Sequence, residues 1–322
     1  MRHLLMLTLL LLGAGCTSQG AEAPDISPPS GFLDVAVAPP YLYATSERGV
    51  FIYNLTTLEL LGVFETEGQA EGVAPLNSTL LVCDGLSGML VLDVTYPHEP
   101  RAVYRLSYAG NFKQVRVAGE TAYVANFDDI NGLVVLNLSR LPSLSISGAF
   151  DPPGYEHVRD LAVEGNYIYL ADFTGGLVVV DRRNLSLAAV YPAEGVTYSV
   201  DVEDSIAVLA KSDAGFEILN ITRPWEPEPL AQVKVGGYAI RVRIEGQNAL
   251  VSTGTDGLYI LNISKPEAPE VVSRIQTQGN AFGFAVHDGM LYIADYTSLL
   301  AYNISSLSSP ALVKSIPYPY SG

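Results

Sequence analysis

The side chains of this sequence best suited to binding a ligand are arginines and aspartates near the starts of short β-rich runs. Arginine binds a carboxylate or phosphate through two parallel hydrogen bonds, so several arginines in one place could hold an anionic small ligand. The alternative is that arginines and aspartates pair with one another, for example Asp201 with Arg243. The predicted ligand- or partner-binding residues are Lys113, Arg116, His157, Arg159, Asp160, Asp201, Arg241 and Arg243.

Signals for catalysis are few. Three histidines follow the first sixteen residues, and no two of them stand at a spacing typical of metal ligands. The motifs HExxH, GxSxG and CxxC and the P-loop do not occur in the sequence. We therefore predict no catalytic residue, no metal and no cofactor, and we expect a protein that is not an enzyme.

A repeated unit must position the charged residues, because the chain contains seven copies of one motif. In residues 167–181 the motif reads YIYLADFTGGLVVVD, two short apolar runs separated by a turn. A third run precedes each copy and a fourth run follows most of them, and Val, Ile, Leu and Tyr dominate these runs. Copies of the second run begin 39 to 44 residues apart, at Gly49, Gly88, Gly132, Gly176, Gly215, Gly257 and Ser298.

Four β-rich runs in about 40 residues are typical of one blade of a β-propeller. We therefore predict an all-β fold over residues 31–322, a seven-bladed β-propeller with four antiparallel strands per blade. Helical repeats of similar length would place apolar residues three and four positions apart, whereas these runs alternate or are continuously apolar.

The first run of each unit is the innermost strand of its blade, and innermost strands line the central channel. An insertion at residues 127–131, between the second and third runs of blade 3, lies beside the charged residues of blades 3 and 4. Loops on a rigid scaffold commonly carry function. We therefore expect a ligand or partner to bind at this side of the channel mouth, with Arg116 and Arg159 as anchors for its negative groups.

Polar residues follow the second run in every unit. A ring of such residues could bind Ca²⁺ through oxygen atoms. Asp and Asn also bond nearby backbone N–H groups in turns, and one residue per blade lies far from the next, so we interpret them as turn caps. The aligned residues are Thr45, Asp84, Asn126, Asp172, Lys211, Thr253 and Asp295.

Five units carry an N-x-S/T sequon at the end of the third run, where the other two units have Asp. The sequons predict N-glycosylation in a host with that machinery. The alternative is structural, because Asn followed two residues later by Ser or Thr also favours a tight turn. The predicted glycosylation sites are Asn54, Asn137, Asn220, Asn262 and Asn303.

The start of the chain is typical of an exported lipoprotein. Residues 1–15 have a basic start and an apolar stretch too short to span a membrane, and Gly-Ala-Gly-Cys occupies residues 13–16. We interpret residues 1–15 as a signal peptide, Cys16 as the lipidated residue and residues 16–30 as a flexible tether. A plain secretory signal with an incidental cysteine is the alternative.

The net charge of −16 argues against nucleic-acid binding, which needs a surface rich in Lys and Arg. It also argues against electrostatic docking on anionic lipid. We expect a monomer on the outer face of the cell membrane, in contact with the membrane only through its lipid anchor. If Cys16 is acylated, Cys83 has no cysteine partner, so the core must supply the stability.

The repeat resembles the LVIVD-repeat family in residues 176–181, 260–266 and 294–295. The resemblance covers about residues 31–316 and implies a seven-bladed propeller of bacterial or archaeal surface proteins. Two departures are that Asn replaces the final Asp in five units, and that Asp181-Arg182-Arg183 lacks the serine of the family's D-x-S.

Together these features indicate an extracytoplasmic, lipid-anchored binding module that recognises a protein or a small ligand. Two alternatives stay open. One is a propeller hydrolase or lyase with its site at the channel mouth, and the other is a passive structural component of the cell envelope.

Replacing Cys16 with serine removes the thiol that would carry the lipid. We expect Cys16→Ser to move the protein from the detergent phase to the aqueous phase in a two-phase partition of cell extracts. Cys83→Ser is the matched control and should partition like the native protein. Unchanged partition of Cys16→Ser would show that Cys16 is not the anchor.

Overall fold

The computed structural model describes residues 31–128, 130–153 and 157–320 and arranges them in seven sheets. Each sheet contains four antiparallel strands that are consecutive in the chain, so one repeat unit forms one blade. The predicted all-β fold of seven four-stranded blades is confirmed. The described residues contain no helix long and apolar enough to cross a membrane. The predicted signal peptide and tether lie outside the described residues.

The strands follow the repeat units in order. Blades 1 and 2 contain β1 (Phe32–Ala38), β2 (Tyr41–Ser46), β3 (Gly49–Asn54), β4 (Leu60–Glu65), β5 (Gly72–Leu76), β6 (Thr79–Cys83), β7 (Met89–Asp93) and β8 (Arg101–Leu106). Blades 3 and 4 contain β9 (Phe112–Ala118), β10 (Thr121–Asn126), β11 (Leu133–Asn137), β12 (Ser145–Phe150), β13 (Val158–Glu164), β14 (Tyr167–Asp172), β15 (Gly176–Asp181) and β16 (Ser186–Tyr191). Blades 5 to 7 contain β17 (Ser199–Glu203), β18 (Ile206–Ala210), β19 (Phe216–Asn220), β20 (Glu228–Val233), β21 (Arg241–Glu245), β22 (Asn248–Ser252), β23 (Leu258–Asn262), β24 (Glu270–Ile275), β25 (Phe284–His287), β26 (Met290–Ala294), β27 (Ser298–Asn303) and β28 (Ala311–Pro317).

The core lies between the blades. The second and third strands of a blade are buried almost throughout, as in β14 and β15, because neighbouring blades cover both faces of the sheet. The fourth strand forms the outer edge, and most of β28 is exposed. Seven apolar clusters each join two adjacent blades, one cluster for every junction in the ring. This contact between neighbours is the source of stability in repeat proteins.

Within the described residues, the first and last blades meet without exchanging a strand. The backbone N–H of Phe32 donates to the carbonyl of Tyr296 at 2.8 Å. Tyr318, which is 1% exposed, packs its ring 5.0 Å from that of Phe32 and 5.7 Å from that of Phe51. Packing and a few backbone hydrogen bonds therefore close the ring.

The two ends of the blades carry different loops. One end, here called the upper face, carries the loops between second and third strands and the connections from one blade to the next. The other end, the lower face, carries the turns between first and second strands and between third and fourth strands. The described residues of the insertion, 127, 128, 130 and 131, thus lie on the upper face, and Trp225, between β19 and β20, lies on the lower face.

Polar side chains stabilise the loops between the second and third strands. Oδ1 of Asp172 accepts hydrogen bonds from the backbone N–H groups two and three residues later, at 3.2 and 2.7 Å. Asp172 pairs with Gly176 in the strand register, and Ser46 pairs with Gly49 in the same way. The capping residue of blade 1 is therefore Ser46. The sequence alignment placed Thr45 at this position and was wrong by one residue.

The glycine at the start of the third strand is required by the backbone. Its φ angle is 84° at Gly88, Gly215 and Gly257, a left-handed value that other residues adopt only with strain. A Cβ atom on Gly257 would also lie 2.1 Å from the carbonyl oxygen of Ile275. In blades 2, 5 and 6 the repeated glycine is thus a condition for joining the second strand to the third.

Replacing Gly257 with alanine should destabilise the protein by about 3 kcal/mol, because it adds backbone strain to a collision with a carbonyl. The control is Gly119→Ala, where φ is 64° but nothing lies within 4 Å of the added Cβ. There the expected loss is about 1 kcal/mol. Denaturant titration measures both variants, and equal losses would show that the close contact with Ile275 is unimportant.

Candidate functional site

Polar residues of five first strands meet at the axis of the ring. They occupy equivalent positions near the upper end of each strand, and these residues are Asp34, Gln114, Asp160, Ser199 and Arg241. Blades 2 and 7 have Gly72 and Gly283 at this position. A Cβ on Gly283 would lie 2.1 Å from Oδ1 of Asp34, and one on Gly72 would lie 2.9 Å from Gln114. The two glycines therefore leave room for the long side chains to reach across the channel.

Five side chains form a closed ring of contacts across the channel, here called the axial network, and they are Asp34, Gln114, Arg116, Asp160 and Arg241. Gln114 donates from Nε2 to Oδ2 of Asp34 at 2.6 Å and accepts from Arg116 at 3.0 Å. Nη2 of Arg116 lies 3.2 Å from Oδ1 of Asp160. Arg241 closes the ring, 3.3 Å from Oδ2 of Asp160 and 3.4 Å from Oδ2 of Asp34. Two carboxylates and two guanidinium groups balance each other.

The network fixes the ionisation of its members. Burial raises the pKa of Asp160, but the arginines around it and a 2.6 Å hydrogen bond from Ser199 outweigh burial and hold that pKa below its usual value. Burial and the nearby Arg243 lower the pKa of Arg116 to about 10. Burial also lowers the pKa of Arg241, but its two carboxylate partners outweigh it and raise that pKa. Both arginines are therefore charged at neutral pH.

A second charged pair lies farther down the channel. Nη1 of Arg243 lies 3.9 Å from Oδ1 of Asp201, and the other oxygen of Asp201 accepts the backbone N–H of Ile244 at 2.8 Å. Five of the eight residues predicted for ligand binding are thus engaged with one another: Arg116, Asp160, Asp201, Arg241 and Arg243. Their role in binding a ligand stays a prediction.

The other three predicted residues, Lys113, His157 and Arg159, lie at the upper mouth of the channel. Lys113 forms an ion pair with Glu71 of the neighbouring blade. The ring of His157 lies 4.7 Å from that of Phe127, at the start of the insertion in blade 3. Within the part of the chain that the structure describes, no cluster of His, Cys, Asp and Glu is arranged to hold a metal ion.

Arg159 is held by aromatic rings. Its guanidinium carbon lies 4.7 Å from the ring centroid of Phe127, 4.8 Å from that of Tyr198 and 5.4 Å from that of Phe173. The three rings belong to three successive blades and contact one another edge to face. Among the described residues, the buried Nε of Arg159 has no hydrogen-bond partner, which is uncommon in proteins. We call Arg159 and the three rings the arginine cage.

The insertion beside the cage is held at both ends of its turn. Nδ2 of Asn126 donates to the carbonyl of Ile130 at 2.7 Å, and Nδ2 of Asn131 donates to the hydroxyl of Tyr108 at 3.0 Å. Asn131 has a φ of 53°, which lets the chain turn back into β11 without a left-handed glycine. Ile130 is 56% exposed, so the loop presents an apolar side chain next to the cage.

Sequence reasoning missed several members of these sites. Asp34 and Gln114 stand in the same repeat position as Asp160, and that alignment was a usable signal. Phe173 follows the capping residue of blade 4 as Phe127 follows that of blade 3, and this recurrence of an aromatic residue was a weaker signal. Tyr198 carries no such mark, because its contact with Arg159 depends on how blades 4 and 5 are joined.

Four segments of the chain match the family model of the LVIVD repeat, at residues 109–151, 156–189, 236–277 and 278–317. They correspond to blades 3, 4, 6 and 7. The chain is a seven-bladed β-propeller that contains four LVIVD repeats. No curated protein sequence matches this LVIVD-repeat protein.

Solved structures resemble the LVIVD-repeat protein in fold. The computationally designed Ika8 protein gives a TM-score of 0.65 at 9% identity, over 82% of this chain and 80% of Ika8. The β-propeller domain of Cps50 (Swd1) from Myceliophteria thermophila gives a TM-score of 0.67 at 10% identity, over 83% of this chain and 93% of that domain. At such identities the likeness concerns the fold alone.

The five sequon asparagines of the LVIVD-repeat protein lie on its lower face. Oδ1 of each accepts the backbone N–H two residues later, at 2.8 to 2.9 Å. Asp93 and Asp181 make the same hydrogen bond at 2.9 Å, so the turn itself accepts either residue. N-glycosylation of these asparagines stays a prediction. So does lipidation of Cys16, which lies outside the described residues.

Replacing Arg241 with methionine would leave two buried carboxylates without their shared cation. We expect Arg241→Met to destabilise the protein by about 3–5 kcal/mol at pH 7. Since the pKa of Asp160 is held below its usual value, its pairing stabilises the fold above about pH 4 and is lost on further acidification. The difference between native protein and variant should therefore shrink as the pH falls through this range.

Denaturant titration at pH 7 and at about pH 2 measures this effect, because the lower pH lies below the range in which the pairing is lost. The control is Arg243→Met, whose partner Asp201 lies 3.9 Å away and keeps a backbone hydrogen bond. We expect that variant to lose only about 1 kcal/mol. A loss in Arg241→Met that does not depend on pH would contradict an electrostatic role for the axial network.

Proposed function

We propose that the protein is a lipid-anchored, extracytoplasmic binding module that captures its partner at the upper mouth of the channel, beside blades 3 and 4. The observation that carries the proposal is the arginine cage, where a partly buried cation is held by three rings and has an unused buried N–H. The adjoining loop, which also carries Asp128, exposes the apolar side chain of Ile130, and an apolar group beside an arginine is suited to recognition.

The mouth of the channel differs from blade to blade, which supports a local binding site. The residue just before the polar position of each first strand is charged in blades 2 to 4 and uncharged in the other four blades. In order from blade 1 these residues are Leu33, Glu71, Lys113, Arg159, Tyr198, Ile240 and Phe282. The seven blades therefore differ at the upper face in the residue at this position, and the charged side of the mouth is formed by blades 2 to 4.

The ion pairs inside the channel favour a binding site at the surface over a hydrolase or lyase active site at the axis. The axial network fills the upper channel with side chains that already satisfy one another, and its charges cancel. A reaction there would require the substrate to break these pairs, at a cost of several kcal/mol for each exposed charge. A partner at the cage contacts Arg159 without disturbing the network.

The proposed location rests on the start of the chain. The Gly-Ala-Gly-Cys sequence at residues 13–16 supports a lipid anchor on Cys16, with residues 16–30 as the tether. The low charged fraction of 16% and the absence of a cysteine partner for Cys83 in the anchored form accord with a β-rich protein that depends on its core outside the cell. We expect a monomer whose only membrane contact is the lipid.

Photo-cross-linking tests the proposed binding face. Ile130 on the upper face and Trp225 on the lower face are similarly exposed, at 56% and 58%, so each can be replaced with p-benzoylphenylalanine. We expect irradiation of cells that make the protein to give discrete adducts from position 130 and none from position 225. Intact-mass analysis of the purified protein detects protein and small-molecule adducts alike.

Adducts from position 225 alone, or equal adducts from both positions, would place the binding surface elsewhere. No adduct from position 130 would also count against the proposal, because the partner is expected to contact this loop. Thermal melting of both labelled proteins confirms that the fold is intact.

A further inference from the structure

We propose that the arginine cage recognises a single carboxylate attached to an aromatic or apolar group. The inference depends on the proposed binding function and names the chemistry of the ligand. It rests on four observations: an arginine that has no carboxylate partner among the described residues, the rings that hold it, the charges around it and the apolar surface beside it.

Within the described residues, Arg159 makes no ion pair of the kind that comparable arginines make. Arg105, Arg116 and Arg241 are similarly enclosed, and each lies within 3.4 Å of a carboxylate oxygen. Carboxylates are plentiful, because the chain has 34 acidic residues against 18 Lys and Arg. Yet the buried Nε of Arg159 has no partner within the described residues. A buried donor without a partner is unfavourable, so a ligand that supplies an acceptor relieves that cost.

The three rings hold the guanidinium group but do not neutralise it. An aromatic face attracts a cation electrostatically, and it provides no oxygen to accept the N–H groups of Arg159. Rings from blades 3, 4 and 5 each have their centroid within 5.4 Å of the guanidinium carbon. Because the guanidinium is already immobilised, a ligand loses less conformational entropy on binding than it would with a mobile arginine.

The charges described around the cage favour a ligand with a low negative charge. Lys113 lies 5.8 Å from the ring of Phe127 and is paired with Glu71, and Asp128 adds a carboxylate next to Phe127. The whole protein carries a net charge of −16, which repels polyanions. A carboxylate has one charge and two coplanar oxygens that match the N–H groups of arginine. A phosphate dianion or a nucleic acid carries more negative charge and fits the electrostatic potential of this acidic protein less well.

Apolar surface adjoins the cation. Phe127 and Phe173 are partly exposed at the mouth, and Ile130 projects from the same loop as Phe127. An aromatic group next to the carboxylate can pack on these side chains, and such ring contacts stabilise a complex beyond the apolar area they bury. The cage thus fits the C-terminal carboxylate of a polypeptide that ends in an aromatic residue, or a small aromatic acid.

NMR titration with N-acetylphenylalanine tests the proposal. For this fragment we expect a Kd of about 1 mM, equivalent to about −4 kcal/mol. The neutral analogue N-acetylphenylalanine amide should bind at least about tenfold more weakly, since it lacks the charge. Phenylacetate distinguishes the two sources, because it keeps the carboxylate and ring but lacks the peptide group. Weaker binding of phenylacetate than of N-acetylphenylalanine indicates a polypeptide end, and equal binding indicates a small acid.

Two variants locate the binding. Arg159→Met should abolish the titration, and Arg159→Lys should weaken it, because lysine keeps the charge but loses the paired N–H groups. Arg182→Met is the matched control, since Arg182 also stacks on a tyrosine, 5.7 Å from the ring of Tyr123, but lies on the lower face. It should bind N-acetylphenylalanine as the native protein does. Thermal melting of each variant checks that the fold is intact.

Equal binding of the acid and its amide would overturn the proposal, as would native affinity in a folded Arg159→Met protein. Phenyl phosphate binding more tightly than any carboxylate would replace the carboxylate with a phosphate. These outcomes are separate from the test of the binding function. If position 130 cross-links a partner while no carboxylate binds, the module stands and only its ligand chemistry is wrong.

Discussion

The structure depends on apolar packing between the faces of adjacent sheets. No blade can bury both of its faces alone, so each needs a neighbour on either side, and seven clusters meet this need at all seven junctions. The second and third strands are consequently committed to the core. Function is left to the parts that packing does not use, which are the loops and the inner edges of the first strands.

The inner edges converge where no further sheet can cover them, and the protein fills this space with charged side chains. Arg241 bridges Asp34 and Asp160 across the channel, so three blades that are not neighbours in the ring are linked by one side chain. Charge is balanced at this depth, where water is scarce and an unpaired ion is costly. At the upper mouth of the channel, positive and negative charges are no longer paired in this way. Among the described residues, Arg159 contacts aromatic rings where the buried arginines contact carboxylates.

The sequence predicted the fold because the residues that a blade requires recur in the repeat units. Apolar runs form strands that are covered on both faces, and glycine occurs where the chain needs a left-handed φ. It predicted three members of the axial network, Arg116, Asp160 and Arg241, for the same reason, through their repeat positions. It did not predict which of them touch, because contacts such as Asp34 with Arg241 depend on distances across a closed ring. Thr45 was aligned in place of Ser46 because the loop of blade 1 is one residue shorter than that of blade 4.

The junction between the first and last blades has a consequence for the gene. Within the described residues no strand interlocks there, and Phe32 and Tyr318, near the two ends of the described chain, pack ring against ring. The architecture therefore contains no privileged starting point. A circular permutation that joins the present ends and opens the chain between two other blades would encode the same propeller. Its N-terminus would lie beside a different blade. The blade next to the N-terminus, and with it the point of attachment, can thus change in evolution while the binding surface stays the same.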